Sequence, residues 1–157
     1  MEYLVVKWLH ILSSTVVFGT GIGSAFHMLM ASLRRDPAVA AQVVRQVVWA
    51  DWLFTTTTMI FQPLSGWYLA HLLGVPVMQT RWLAWSLALY VFAGACWLPV
   101  VWIQIRMRDI AVRADRTASP LPPQYFVWLR WWIALGFPAL FAFLGIFYLM
   151  VTKPVGG

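Results

Sequence analysis

The segment Trp82–Ile105, WLAWSLALYVFAGACWLPVVWIQI, is 24 residues long and contains no Asp, Glu, Lys or Arg. As a helix rising 1.5 Å per residue it is about 36 Å long, enough to cross a hydrocarbon core of roughly 30 Å. Three other stretches are equally free of charge: Ile11–Leu33, Trp52–Thr80 and Trp131–Thr152. Together the four take up most of the 157 residues. Only 10% of the chain is charged, 62% is hydrophobic and 17% is aromatic, whereas a soluble domain carries about 25% charged residues. An ordinary soluble globule, a disordered chain and a collagen are therefore excluded. The pattern predicts an all-α integral membrane four-helix bundle. It forms one domain over residues 1–157, with spans at about 3–33, 46–73, 80–108 and 124–152.

The positive charges set the expected orientation. Arg34, Arg35, Arg45, Arg106, Arg108, Arg113, Arg116 and Arg130 flank the first and third connections, and only Lys7, Arg81 and Lys153 lie on the other side. The positive-rich side faces the cytoplasm. Both termini are then expected on the non-cytoplasmic side of a bacterial inner (cytoplasmic) membrane. The lipid bilayer is the expected partner, and the net charge of +6 reflects orientation, with no nucleic acid expected. Glu2 and Lys7 give the N-terminus no net positive start, so it does not read as a cleaved signal peptide, and the first span is expected to be retained.

The connections carry their own signals. Asp36-Pro37 reads as an N-cap followed by proline at the first helical position. Val39, Val43, Val44 and Val47 give the helix that follows an apolar stripe, and it is expected to run straight into the second span. Gly74 and Pro76 mark a short turn between antiparallel spans. Arg106–Pro123 is expected to be an extended linker. Pro63, Pro99 and Pro138 lie inside spans and are expected to bend them. Most tryptophans (Trp8, Trp49, Trp52, Trp82, Trp85, Trp128, Trp131 and Trp132) fall near span ends, where an interfacial belt belongs. Trp67, Trp97 and Trp102 lie deeper.

Bundle interfaces in lipid favour small and polar residues, because the tails offer no contrast to leucine. Such stripes occur on three spans. The first is His10, Ser14, Val17, Gly21, Ser24 and Met28. The second is Asp51, Thr55, Thr58, Gln62, Ser65 and Gly66. The third is Ser86, Tyr90, Trp97 and Gln104, with Gly94 beside it. Gly19, Gly21 and Gly23 follow no strand and read as close helix packing rather than a dinucleotide motif. Asp51 is expected to form an interfacial ion pair with Arg106 or Arg108, with a proton relay as the other reading.

The lone cysteine, Cys96, rules out an internal disulfide, a Cys-rich metal site and covalent haem attachment. It reads as a packing residue. Among the histidines, His10 sits about 10 Å inside the first span on the small-residue face. It reads either as a cross-bundle hydrogen bonder or as a metal ligand. His71 lies at a comparable depth on the second span, about 180° from Gln62 on an ideal helix. His27 is too far from His10 to share a metal and reads as interfacial. No zinc-protease motif, phosphate loop or copper-type methionine series is present.

The segments Lys7-Trp8-Leu9-His10, Ala50-Asp51-Trp52-Leu53-Phe54, Gln62-Pro63-Leu64-Ser65-Gly66 and Gly94-Ala95-Cys96-Trp97-Leu98-Pro99 resemble an uncharacterised bacterial family of predicted four-helix integral membrane proteins. The likeness runs over nearly the whole chain and implies topology more than activity. Lys7 and His10 also resemble the Lys-x-x-His of the HemJ-type protoporphyrinogen oxidases, small membrane proteins that bind haem b. That resemblance implies an axial ligand at His10. The oxidase activity is not carried over, since Trp82–Ile105 has no lysine and no Pro-Arg precedes His27.

The leading expectation is a haem b-binding membrane protein in electron transfer or redox chemistry, an oxidoreductase without assigned catalytic residues. Non-covalent haem b would be ligated by His10, with His71 as the candidate sixth ligand. Lys7 and Arg81 would meet the propionates, and Trp8, Trp67, Tyr90 and Trp97 would line the macrocycle. The alternatives are a cofactor-free bundle that binds or transports a small molecule through its polar stripes, and an accessory subunit. A homodimer fits each of these, and a redox partner belongs to the first.

Overall fold

The computed structural model describes residues 1–153. Among the described residues every element is helical: α1 (Glu2–Leu33), α2 (Pro37–Ala50), a single π-helical turn (Asp51–Thr55), α3 (Thr56–Leu72), α4 (Arg81–Arg116) and α5 (Pro123–Thr152). Three helices are long and apolar enough to cross a membrane, namely α1, α4 and α5. The fourth expected span is divided. α3 has 17 residues and joins α2 through the π turn without a break in helical structure.

Local chemistry explains the helix limits. Asp36 caps α2 as expected, its carboxylate accepting from the Ala38 and Val39 amides at 2.9 and 3.3 Å, with Pro37 beside it. α3 ends where Gly74 takes φ +63. The Val75 amide then donates back to the Ala70 carbonyl at 3.0 Å, an arrangement that favours glycine. Pro63, Pro99 and Pro138 are all accommodated within helices.

The expected linker at Arg106–Pro123 is confined to residues 117–122. α4 continues as helix to Arg116. The cause is a stripe of Met107, Ala111 and Ala114, all buried against α2 and α5. Their spacing of four and three residues keeps them on one face. Arg113 and Arg116 sit in the last turn, where cations suit the helix dipole.

α1 packs against α2 and α3, α2 against α4, and α4 along α5. The buried core lies at the basic end. It joins Met28 and Ala31 of α1 to Ala40, Ala41, Val43, Val44, Val47 and Val48 of α2, with Ile103 and Met107 of α4 and Tyr125, Leu129 and Trp132 of α5. Tyr125 and Ser32 are fully buried there and share a hydrogen bond of 2.8 Å. The remainder of the molecule displays apolar side chains outward, including Leu64, Leu98, Phe141 and Tyr148.

The expected glycine packing on α1 is also overturned. A Cβ added at Gly19, Gly21 or Gly23 meets no atom within 4 Å. Close approach occurs instead at Gly145, where a Cβ would come within 3.1 Å of Leu89 on α4, and at Gly66, where it would meet His10 at 3.4 Å.

Candidate functional site

An apolar cavity lies between α1, the π turn, α4 and α5, on the inner side of the basic-end core. It holds about 360 Å³, within the size range of small-molecule sites. Val17, Gly21 and Ala25 of α1 form one wall, and Ala93, Trp97 and Gln104 of α4 form another. Trp132, Gly136 and Leu140 of α5 close the third side, and Asp51 and Thr55 of the π turn form its polar corner.

That corner is built from Asp51 outward. Its carboxylate accepts the Thr55 hydroxyl at 2.9 Å, with the Gln104 side chain as a second hydrogen-bonding neighbour. The expected ion pair with Arg106 or Arg108 is absent. Arg108 pairs with its own neighbour Asp109 at 2.9 Å, and the Arg106 guanidinium stacks on Trp102. Both arginines follow Ile105 on the charged end of α4, whereas the π turn directs Asp51 into the interior. Asp51 is 5% exposed.

Three side-chain polar atoms around the cavity are buried and have no partner: Trp97 Nε1, Trp132 Nε1 and Gln104 Oε1. Gln104 is 2% exposed and Trp132 7%. An unsatisfied buried donor or acceptor costs about 1–3 kcal/mol, and these three atoms are enclosed by protein beside the cavity rather than open to it.

A second polar cluster joins α1 to α3. The Ser65 hydroxyl lies 2.7 Å from His10 Nδ1 and 2.8 Å from the Phe61 carbonyl. With the serine proton on Phe61, Nδ1–H donates to Ser65 and Nε2 keeps its lone pair. The Gln62 amide donates to the His10 carbonyl at 2.8 Å and to the Ser13 hydroxyl at 2.5 Å. Close by, Tyr68 donates to Glu2, and Tyr90 donates to the Met59 carbonyl.

The residues expected around a haem are dispersed. His10 does not border the cavity, whose nearest wall on α1 begins at Val17. His71 is exposed and lies about 9 Å further along α3 than Ser65. Lys7 sits over the Tyr3 ring, and Trp8 and Trp67 point outward, 62% and 65% exposed. Arg81 opens α4 at the opposite end from the core. Only Trp97 of that set reaches the cavity. His27 is exposed, as an interfacial residue should be.

A family model described as "Predicted integral membrane protein (DUF2269)" matches residues 4–154. The chain belongs to this family. Membership in DUF2269 agrees with the likeness seen in the four quoted segments, and it places the chain among membrane proteins. No curated protein and no solved structure matches. The likeness to haem oxidases therefore rests on Lys7 and His10 alone.

Sequence reasoning found Asp51, Thr55, Trp97 and Gln104 through their helical stripes. It missed Trp132, which it placed in the interfacial belt, and Tyr125. Trp132 stands three residues after Leu129 on a core-facing stripe of α5, and that spacing was the available signal.

Proposed function

We propose that this DUF2269 protein binds a small lipophilic molecule inside the membrane, in the cavity cornered by Asp51. The reading includes a fourth crossing by the continuous helical run from α2 through α3. It also includes both termini on the non-cytoplasmic side of a bacterial inner membrane. The charge-free stretch Trp52–Thr80 and the arginine asymmetry support that topology. The observation that carries the function is an apolar cavity of about 360 Å³ with the buried Asp51 at its polar corner.

The test compares organic extracts of purified protein. The wild type should carry a lipophilic compound in near-stoichiometric amount, and Gly136→Leu should lose it. A Cβ at Gly136 meets nothing within 4 Å, so this change fills the cavity without a backbone clash. Identical extracts from both proteins would overturn the reading.

Haem b at His10 is the second reading, favoured by the free lone pair on Nε2. It predicts a Soret band and a positive pyridine haemochrome assay, both removed by His10→Ala. Lys7 lies over the Tyr3 ring, and Trp8 and Trp67 face outward, so no chemistry is derived through that group.

A further inference from the structure

The basic end carries a second cavity, separate from the one at Asp51. It holds about 630 Å³ and lies between the last turns of α4, the connection 117–122 and the start of α5. One side of α4 forms its floor. Trp102, Arg106, Arg113 and Thr117 line it at successive spacings of four, seven and four residues, which keeps them on one helix face. We propose that this cavity binds the phosphate of an anionic phospholipid at the membrane surface.

Charge gives the ligand its sign. The charged residues lining the cavity are Arg106, Asp109 and Arg113. Asp109 is already neutralised: Arg108 Nε donates to its carboxylate at 2.9 Å, and Nη2 lies 2.9 Å from the same oxygen. No described acid forms an ion pair with Arg106 or Arg113. Two arginines without a counter-ion around one cavity call for an anion, and the guanidinium fork matches phosphate oxygens. With Asp109 engaged by Arg108, the cavity offers no free carboxylate to the ammonium of a zwitterionic headgroup.

Position makes the anion a lipid. The charge-free run of α4 ends at Ile105, so Arg106 stands at the limit of the hydrocarbon and Arg113 about 10 Å beyond it. The polar layer of one leaflet is about 5–8 Å deep. Side chains on a helix lean toward its N-terminus, which for Arg113 is toward the lipid. The two arginines therefore bracket the level of lipid phosphates. Trp102 and Trp128 meet edge to face at 5.1 Å and form the membrane-side wall, and the Arg106 guanidinium lies over the Trp102 ring. Indole rings suit the depth of a lipid's glycerol and ester groups. A soluble phosphate would use the arginines but leave that wall bare.

The outer wall is fixed in advance. Ala118 turns the chain at φ +46, the Ser119 amide donates back to the Ala114 carbonyl at 2.9 Å, and the Thr117 and Ser119 hydroxyls share a bond of 2.8 Å. Leu121 is buried beneath. A wall ordered before binding lowers the entropy lost on binding.

The test titrates the full chain, purified in a non-ionic detergent, with phosphatidylglycerol or phosphatidylcholine, and reads bound lipid by native mass spectrometry. The first phosphatidylglycerol should bind at least about fivefold more tightly than the first phosphatidylcholine, and glycerol 3-phosphate at the same concentration should not displace it. Arg106→Gln and Arg113→Gln should each weaken phosphatidylglycerol binding by about fivefold. Both side chains are exposed, and unchanged thermal midpoints verify that the variants fold. Arg116→Gln, three residues further along α4 and outside the cavity, should leave binding unchanged. Three results would each overturn the proposal: equal binding of phosphatidylcholine, an equal loss in Arg116→Gln, which would show diffuse attraction to the basic end, or displacement by glycerol 3-phosphate, which would show a site for a soluble phosphate ester. None of them touches the organic-extract test of the Asp51 cavity.

Discussion

The basic end and the membrane-facing half of this protein handle the same apolar side chains in opposite ways. At the basic end, α2 turns Ala40, Val44 and Val47 into a core closed by Met107 and Tyr125. In the apolar window of α5, by contrast, only 6% of residues are buried. The difference follows from the surroundings. Beyond Ile105 the charged residues Arg106, Arg108, Asp109, Arg113, Asp115 and Arg116 mark a part of α4 that meets water. There the hydrophobic effect drives apolar groups inside. Between the lipid tails that drive vanishes, and helices hold together by packing and interhelical hydrogen bonds. His10 to Ser65 and Gln62 to Ser13 are bonds of that kind.

A charge placed in the core should separate the two regions most sharply. Val44 is fully buried, and Val44→Asp should cost more than about 4 kcal/mol and abolish folded yield on size-exclusion chromatography. Leu64→Ala on the lipid face should leave the yield unchanged. The next effect is a cavity. Met107→Ala should cost about 2–5 kcal/mol in denaturant unfolding, while Leu98→Ala, 65% exposed on the same helix, should cost less than about 0.5 kcal/mol. A large loss at Leu98 would show that the membrane half has a drive of its own.

Smaller effects sharpen the contrast. Ser32→Ala leaves the Tyr125 hydroxyl buried without its partner, and should lower stability by about 1–3 kcal/mol. Adding Tyr125→Phe should recover part of that loss. Smallest of all, Gly19→Ala should raise stability by up to about 1 kcal/mol through helix propensity, because its Cβ meets nothing. A decrease in the thermal midpoint would restore the close packing that the glycine pattern suggested.

The elements that read correctly from sequence are those fixed by local chemistry. The Asp36 cap, the Gly74 turn and the valine stripe of α2 each need only near neighbours, and each is present. The end of α4 was misread because charged residues between Arg106 and Arg116 masked the Met107, Ala111 and Ala114 stripe. Composition suggested a linker where periodicity specified a helix. Asp51 was misread for a different reason. Its partner depends on which way the π turn aims it, and a π turn leaves no mark in residue spacing. The haem expectation joined residues of suitable chemistry and depth. Depth along an axis does not bring side chains onto facing surfaces, and Trp8, Trp67 and His71 turn outward. The cavity itself was half legible: the stripes named its polar corner, while its α5 wall of Trp132, Gly136 and Leu140 depends on how the helices pack.

The π turn at Asp51–Thr55 makes one helix serve two partners. The Asp51 carbonyl receives the Thr56 amide and also the Thr56 hydroxyl at 3.0 Å, so the wide loop is stitched rather than loose. Excising one residue there, Leu53 for instance, would restore regular winding and rotate everything upstream by about 100° against everything downstream. Val44 would then leave its core, or Ser65 would lose His10. The surplus residue acts as a phase shifter between a segment wound to fit water's demands and one wound to fit its neighbours in lipid.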